Sequence, residues 1–240
     1  MENLTNKTAL ITGGSKGIGF GIAECLVEQD MNVVITGRSE ATITEAADKL
    51  NQIKPGKALG LVADVRNLKD QESAVQETIN KFGQLDLLIA NAGVGHFASI
   101  EEMTEKQWQD TMDINLTGVF NSIKPAISPL KETRGMIITI ASLAGTNFFA
   151  KGSAYNASKF GLVGFTQAIM LDLRKYGIRV STIMPGSVRS EFNHPAPDAD
   201  ESWKIQPEDL GSLVIELMQM NPRTLPSKIE VRPTTPPSAK

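Results

Sequence analysis

The sequence has only one cysteine, Cys25, among its 240 residues, so an intrachain disulfide is excluded. Its N-terminus lacks the apolar core of a signal peptide. Its longest apolar runs are far shorter than the ~20 residues that a membrane-spanning helix needs. A single cysteine fits a reducing compartment, and we expect a soluble, cytoplasmic protein.

An excess of charge of either sign is also lacking. The 24 Lys and Arg residues are offset by 27 Asp and Glu residues, which gives a net charge of −3 and a pI of about 5.5. This balance argues against a general nucleic-acid binder or a membrane-surface binder, although a local basic patch remains compatible with it. We therefore expect no nucleic-acid or membrane partner, and we assign no metal site.

The hydrophobic pattern alternates between short apolar runs and longer amphipathic segments. Apolar runs without alternation are typical of strands buried on both faces of a parallel sheet, and helices between them favour a doubly wound α/β fold. The predicted strands are Thr8–Thr12, Asn32–Thr36, Leu59–Ala63, Leu85–Ala90, Met136–Ala141, Ile178–Met184 and Ile229–Val231. The predicted helices begin near Ile18 and span Thr42–Leu50, Leu68–Phe82, Thr104 to about Leu130, Ser153–Lys175 and Pro207–Met220.

The segment that begins at Thr104 contains two prolines, Pro125 and Pro129. Proline lacks an amide donor and clashes with the preceding turn, so we expect these residues to kink or end the helix.

A glycine-rich turn follows the first strand and reads Thr-Gly-Gly-Ser-Lys-Gly-Ile-Gly over residues 12–19. Its spacing differs from the Gly-x-Gly-x-x-Gly fingerprint, but glycines still let the backbone approach a pyrophosphate at a helix N-terminus. The turn therefore favours a dinucleotide-phosphate site, and the alternative is an ordinary strand–helix turn. The residues assigned to this site are Gly13, Ser15, Lys16, Gly17, Ile18 and Gly19.

The end of the second strand indicates which dinucleotide binds. An acidic residue there would bond the ribose 2′-hydroxyl of NAD, but the chain has Arg38 and Ser39 and no carboxylate. An arginine binds a phosphate through two parallel hydrogen bonds, and Lys16 adds a second positive charge. We predict NADP(H) rather than NAD(H); the alternative is that Arg38 is simply solvated.

Tyr155 and Lys159 are four residues apart, so a helix would place them on one face, one turn apart. A free tyrosine has a pKa of about 10, and a neighbouring ammonium lowers it, which tunes the phenol for acid–base work. The same spacing also arises by chance, so the pair gains its weight from the rest of the chain.

Four further motifs follow consecutive predicted strands: Asp64-Val65, Asn91-Ala92-Gly93, Ser142 and Pro185-Gly186. Together with the glycine turn and the Tyr-x-x-x-Lys motif, they make the chain resemble the short-chain dehydrogenase/reductase family over about residues 7–190. The resemblance implies a single-domain Rossmann fold over residues 1–240, with a doubly wound parallel sheet of about seven strands flanked by helices.

The resemblance also implies roles for these residues in cofactor binding. Asp64 would bond the adenine amino group, and Val65 would lie under the ring. The backbone of Asn91, Ala92 and Gly93 would line the adenine-ribose side. Pro185, Gly186 and Val188 would contact the nicotinamide amide. The remaining cofactor contacts would come from Tyr155, Lys159 and Ser190.

The catalytic residues implied by the resemblance are four. Asn115 would hold a water near the lysine. Ser142 would bind the substrate carbonyl oxygen, and Tyr155 would donate its proton to that oxygen. Lys159 would bond the nicotinamide ribose and depress the tyrosine pKa.

Substrate choice is expected to come from the less patterned loops. These include the stretch with His96, the pair Phe148 and Phe149, and a substrate loop of about residues 188–206. We do not assign catalysis to His96, and the phenylalanines fit simple packing as well as a pocket wall.

The C-terminal region departs from the family pattern. Many relatives end in a strand with a Val-Asp-Gly-Gly type sequence that contributes to a tetramer, whereas here a Pro-rich tail covers about residues 232–240. We expect either a homotetramer or a homodimer formed by the helices of 104–130 and 153–175.

The resulting interpretation is an NADPH-dependent reductase of small ketones, aldehydes or 3-oxoacyl substrates, with Tyr155 as general acid. An NADP-linked alcohol dehydrogenase working in the oxidative direction would use the same site in reverse. A non-catalytic NADP-binding regulatory or interaction protein would keep the fold, but it would not need both Ser142 and Tyr155.

Overall fold

One fully parallel sheet organises the described part of the chain, which comprises residues 3–190 and 201–235 of the computed structural model. In these residues seven strands lie in the order β3-β2-β1-β4-β5-β6-β7. Their bounds are β1 Thr8–Thr12, β2 Asn32–Gly37, β3 Ala58–Val62, β4 Leu87–Ala90, β5 Met136–Ile140, β6 Arg179–Pro185 and β7 Lys228–Val231.

Helices cover both faces of this sheet because successive side chains of each strand point to opposite sides. The helix bounds are α1 Gly17–Glu28, α2 Glu40–Ile53, α3 Leu68–Phe82, α4 Glu105–Met112, α5 Gly118–Thr133, α6 Ser153–Leu173 and α7 Pro207–Gln219. In β1, Ala9 and Ile11 pack into a core with α1, α2 and α7, whereas Leu10 packs into a core with α3, α5 and α6. The predicted doubly wound fold is confirmed.

The predicted long helix after Thr104 is divided in a way that the sequence did not indicate. It is interrupted at a π turn, Asp113–Thr117, in which the Gly118 amide bonds the Asp113 carbonyl five residues back. Widened turns of this kind are rare and often lie at functional sites.

The expectation that Pro125 and Pro129 could end this helix is wrong, because α5 contains both and continues to Thr133. The buried residues Ile123 and Leu130 anchor the same helix in the core, and this packing outweighs the hydrogen bonds that each proline removes. The helix ends only where Arg134 adopts a left-handed conformation, with φ of 50°.

The sheet also fixes where a ligand would bind. Connections leave β1 toward β2 on one side and β4 toward β5 on the other, so a crevice opens beyond the carboxyl ends of these central strands. The end of β1 is joined to the end of β4 there, because Thr12 Oγ1 accepts hydrogen bonds from the amides of Asn91 and Ala92 at 3.1 and 3.2 Å.

Two features are absent from the described residues. No helix in 3–190 or 201–235 has both the length and the apolar character to cross a membrane. The same ranges contain no cluster of three or more His, Cys, Asp or Glu side chains placed to hold a metal ion.

Candidate active site

The glycine turn between β1 and α1 has a backbone that only glycine accommodates well. Gly13 and Gly17 have positive φ values of 66° and 58°. A Cβ on Gly13 would lie 2.9 Å from the Ala92 Cα, and one on Gly19 would lie 2.5 Å from the Gly13 carbonyl oxygen. The first turn of α1 therefore lies directly against the ends of β1 and β4, with its amides at the carboxyl edge of the sheet.

The other residues predicted for this turn surround it. Lys16 is exposed and precedes the first helical residue of α1, and Ile18 packs against the core. The Ser15 hydroxyl oxygen lies 3.7 Å from the position that a Cβ would take on Gly37. Ser190 approaches from the opposite side, with its Cβ 3.5 Å from the corresponding position on Gly17.

The residues predicted to choose the nucleotide lie beyond the end of β2. Arg38 is exposed, and Ser39 caps α2 by accepting a hydrogen bond from the Thr42 amide at 3.5 Å. The Ser39 hydroxyl proton is not used by this cap and can still be donated. Arg38 is also close enough to contribute to a lowered pKa of the Asp64 carboxyl group.

Asp64 has a stronger partner that the sequence interpretation missed. Arg66 donates from Nε to both carboxylate oxygens at 3.0 Å and from its terminal nitrogen at 2.5 Å, and this bond is the main cause that lowers the Asp64 pKa. The Asp-x-Arg spacing was the available signal. An ionised carboxylate offers about four lone-pair sites, so the adenine contact implied by the resemblance would share Asp64 with Arg66.

Val65 is buried, and its contacts are with α5. A Cβ on Gly118 would lie 2.7 Å from a Val65 methyl group, and the Val65 carbonyl accepts a hydrogen bond from Asn121 at 2.9 Å. These contacts hold the loop after β3 against α5, at the edge where the resemblance places the adenine ring.

The Asn91-Ala92-Gly93 segment joins the glycine turn to the side of the crevice that contains Asn115 and Lys159. The Asn91 side-chain nitrogen Nδ2 donates to the carbonyls of Thr12 and Gly13 at 2.9 and 3.0 Å. A Cβ on Gly93 would lie 3.4 Å from the Asn115 side-chain oxygen and 3.8 Å from the Lys159 ammonium. The lack of a side chain on Gly93 keeps this space open.

Asn115 lies in the π turn and is fully buried. Its side-chain oxygen accepts from the Val94 amide at 2.8 Å, and its nitrogen donates to the Val94 carbonyl at 2.9 Å and to the Ser158 hydroxyl at 3.1 Å. The side chain therefore braces the loop after β4 against α6, a role different from the water contact that the resemblance implies.

Lys159 is 5% exposed and donates a hydrogen bond to the Ile140 carbonyl at 3.0 Å. Removing an ammonium from water disfavours its charged form, so burial lowers the pKa of Lys159 from 10.5 to about 8. Its nitrogen lies 5.7 Å from the centre of the Tyr155 ring.

Tyr155 is half-buried and hydrogen-bonded to the Ser142 side chain. Ser142 also accepts a hydrogen bond from the Ala144 amide at 3.1 Å, which fixes it at the start of a short 3₁₀ turn. The expectation that Lys159 depresses the tyrosine pKa is corrected. Burial raises the Tyr155 pKa, the hydrogen bond with Ser142 opposes the rise, and the lysine hydrogen bond goes to Ile140 instead.

The segment predicted to contact the nicotinamide follows β6. The Gly186 amide donates to the Val231 carbonyl at 2.8 Å, and a Cβ on Gly186 would lie 3.1 Å from Leu143 and 3.3 Å from Pro233. Val188 forms an isolated bridge with Ile205. Of the predicted substrate loop 188–206, residues 191–200 lie outside the described residues, as do residues 236–240 of the predicted tail.

The loops after β4 and β5 place aromatic rings beside Tyr155. The Phe97 ring, which the sequence interpretation missed, is 5.4 Å from the Tyr155 ring and 5.9 Å from the Phe149 ring, centre to centre. Phe148 is 86% exposed. His96 is half-buried and interacts electrostatically with Asp110.

The site can therefore bind a dinucleotide along one side and a carbonyl compound along the other. The glycine turn and the N-terminus of α1 suit a pyrophosphate. The bonded hydroxyls of Ser142 and Tyr155 suit an oxygen that gains negative charge, because both can donate hydrogen bonds to it.

Comparison with known proteins agrees with this geometry. Residues 7–201 match the family model described as short chain dehydrogenase. An uncharacterised oxidoreductase of Staphylococcus saprophyticus is 33% identical over 97% of this chain and 100% of its own length. A 3-oxoacyl-(acyl-carrier-protein) reductase of Vibrio cholerae is 32% identical over 88% of this chain and 85% of its own length.

Among solved structures, a short-chain type dehydrogenase/reductase from Mycobacterium marinum superposes with a TM-score of 0.88. The two chains are 28% identical, and the match covers 98% of each.

The buried ammonium of Lys159 predicts a pH dependence of stability. The unfolded chain holds this proton up to about pH 10.5 and the folded chain only up to about pH 8, so the unfolded state binds more protons between these values. Rising pH therefore favours the folded state in this window, by up to about 3 kcal/mol. Urea unfolding at pH 8 and pH 10 should show the wild type gaining stability relative to Lys159→Met. A pH-independent difference between the two proteins would contradict the burial of a charged lysine.

Proposed function

This chain belongs to the short-chain dehydrogenase family of oxidoreductases, and we propose that it is an NADPH-dependent reductase of small ketones, aldehydes or 3-oxoacyl compounds. The observation that carries this proposal is the hydrogen bond between the Ser142 and Tyr155 side chains, with the buried Lys159 one helical turn away. This arrangement offers two donors to a single carbonyl oxygen.

The residues at the sheet edge fit the dinucleotide. The turn around Gly13, Gly17 and Gly19 leaves a surface that side chains would fill, next to the helix N-terminus that attracts a pyrophosphate. When bound, the cofactor supplies the hydride. Lys159 and Gly93 lie together where the resemblance puts the nicotinamide ribose.

Three side chains of the protein stabilise the substrate carbonyl oxygen and supply its proton. Hydride transfer to a carbonyl leaves negative charge on its oxygen, and Ser142 and Tyr155 are placed to stabilise that charge before the reaction begins. Because burial raises the Tyr155 pKa, its phenol is protonated at neutral pH and can donate. Lys159 has a pKa of about 8 and lies under the tyrosine ring, where it can help to replace the lost proton.

Positively charged side chains near the end of β2 support a preference for NADPH over NADH. Neither of the two residues directly after β2, Arg38 and Ser39, is acidic, and the exposed Arg38 and Lys16 lie beside the glycine turn and the loop after β2. A guanidinium matches the oxygens of a 2′-phosphate in geometry and charge.

Two other functions use the same residues. An NADP-linked alcohol dehydrogenase would run the reaction in reverse, with Tyr155 accepting the proton. A non-catalytic NADP-binding regulatory protein would need the glycine turn but not the Ser142–Tyr155 pair. The presence of that pair favours the enzyme.

We also propose a cytoplasmic location, since the one cysteine is a buried free thiol.

We propose a homodimer formed through α5 and α6. Every exposed residue of α6 except Asp172 is apolar, and Phe120 of α5 is also exposed. The α6 residues recur every three or four positions and so form one stripe along the helix. They are Ala157, Phe160, Gly164, Ala168 and Leu171.

The reductase is tested by replacing the general acid. Tyr155→Phe should lose nearly all turnover, at least about 100-fold, because the developing oxyanion loses its proton donor. The Tyr155→Phe protein should still bind NADPH. NADPH oxidation followed by absorbance, with a panel of ketoesters, diketones, aldehydes and 3-oxoacyl thioesters, measures this effect. Normal turnover by Tyr155→Phe would refute the mechanism, whereas NADPH binding without turnover of any carbonyl by the wild type would favour the regulatory protein.

The cofactor preference is tested by charge reversal. Arg38→Asp should weaken NADPH binding about 10- to 100-fold, because a charge-assisted phosphate contact is replaced by repulsion, and should weaken NADH binding far less. Fluorescence titration gives both dissociation constants. The matched control is Arg223→Asp, which makes the same charge change in the connection before β7, at the amino edge of the sheet. Equal affinities of the wild type for NADPH and NADH would overturn the proposal.

The dimer is tested by placing a charge in the α6 stripe. Gly164→Arg should convert a particle of twice the 25.9 kDa chain mass into a monomer, because an unpaired charge would be buried in the interface. Light scattering after size exclusion measures the mass, with Gln76→Arg on the exposed side of α3 as control. A wild-type monomer, or a dimer that Gly164→Arg leaves intact, would contradict this interface, and a wild-type tetramer would point to a further contact such as the β7 edge.

A further inference from the structure

Asn156 directly follows Tyr155, yet its side chain serves a different part of the site. It is buried, and its nitrogen donates to the carbonyls of Ala144 and Asn147, each at 2.8 Å. Its oxygen accepts from the Phe149 amide at 3.4 Å. One side chain thus satisfies three main-chain groups of the loop between β5 and α6.

The same loop is packed tightly where it meets α6. A Cβ on Gly152 would lie 2.5 Å from the Asn156 side-chain oxygen and 2.7 Å from the Phe149 ring. Gly152 also forms an isolated bridge with Ala98, which ties this loop to the one after β4. Between these anchors, Lys151 is exposed and has a positive φ of 64°, a conformation that non-glycine residues rarely adopt. The loop geometry therefore depends on the Asn156 hydrogen bonds.

The hydrogen bonds of Asn156 determine where the Phe149 ring lies. Phe149 packs against Phe97, and Phe97 in turn lies edge-on to Tyr155, which gives a continuous row of three rings. Phe149 and Phe97 remain 48% and 44% exposed, so much of each ring is available to a ligand. An apolar group attached to a carbonyl held at Ser142 and Tyr155 would bury this surface.

We propose that Asn156 is a positioning residue that holds Phe149 beside Phe97, and that the resulting aromatic wall selects carbonyl substrates with an aromatic or alicyclic group next to the reacting carbon. This inference rests on the proposed reductase function. It assigns Phe97 and Phe149 to substrate recognition and gives Asn156 an indirect role, through the loop that it fixes.

The substrate class is tested with two diketones that differ in one group, 1-phenylpropane-1,2-dione and butane-2,3-dione. The wild type should have a lower KM for the phenyl compound. Asn156→Ala should raise the KM for the phenyl compound about 10-fold, with a much smaller change for butane-2,3-dione. Its NADPH affinity should stay within about 2-fold, because the glycine turn is untouched. Its kcat should change by the same factor with both diketones, because any shift of Ser142 through Ala144 acts on both substrates alike.

The matched control is Gln167→Ala. This change also removes side-chain hydrogen bonds of α6, in this case to Ser227, at a place away from the aromatic wall. It should leave the KM ratio of the two diketones unchanged. A double-mutant cycle of Asn156→Ala with Phe149→Leu should be non-additive, because the first change acts through the second residue.

A second readout does not depend on catalysis. Limited trypsin digestion, analysed by mass spectrometry, should show faster cleavage after Lys151 in Asn156→Ala than in wild type or Gln167→Ala, because the loop opens more easily. If Asn156→Ala does not fold, Phe149→Leu with the two diketones still tests the wall.

The outcomes separate the two proposals. If the wild type reduces none of the carbonyl panel, the proposed function fails, whatever the digestion shows. If the wild type is active but has no preference for the phenyl diketone, or if Phe149→Leu and Asn156→Ala keep the wild-type KM ratio, the inference fails and the reductase stands. Unchanged cleavage after Lys151 in Asn156→Ala would overturn the positioning role.

Discussion

The burial of the Lys159 ammonium is the constraint on which the catalytic side depends. A charged group is stable inside a protein only where polar groups meet it, and here the Ile140 carbonyl at the end of β5 accepts a hydrogen bond from the ammonium. The helix that carries Lys159 must therefore lie close to β5. A Cβ on Gly93 would lie 3.8 Å from the ammonium, so the missing side chain leaves the space in front of the ammonium open.

Two different sets of close contacts shape the two sides of the crevice at the carboxyl edge of the sheet. On the cofactor side, the turn at Gly13 meets the end of β4 through Thr12 and Asn91, so the backbone itself forms the surface. On the substrate side, asparagine side chains replace glycines as the organising groups. Asn115 braces the loop after β4, and Asn156 braces the loop after β5. Each loop that follows a central strand is thus held by residues from another element.

The sequence was most informative where one local rule dominates. Continuous apolar runs identified the strands β1 to β6, and the predicted bounds of β1 are those observed. The glycine turn was found because close backbone approach leaves little choice of residue. Where several elements compete, local rules failed: core packing of Ile123 and Leu130 carries α5 through two prolines, and a neighbouring arginine engages Asp64. The direction of the Tyr155 pKa depends on burial, and the wall at Phe97 depends on two loops meeting, so neither could be seen from spacing alone.

The hydrogen bond from the Gly186 amide to the Val231 carbonyl has a consequence for how the protein is made. The turn after β6 lies more than forty residues before β7, so during synthesis it emerges from the ribosome without its partner. The glycine turn, β4 and α6 will already have left the exit tunnel by then. The proposed dinucleotide site can therefore begin to form early, but the turn after β6 stays unpaired until β7 joins the sheet, so the last strand acts as the closing step of assembly.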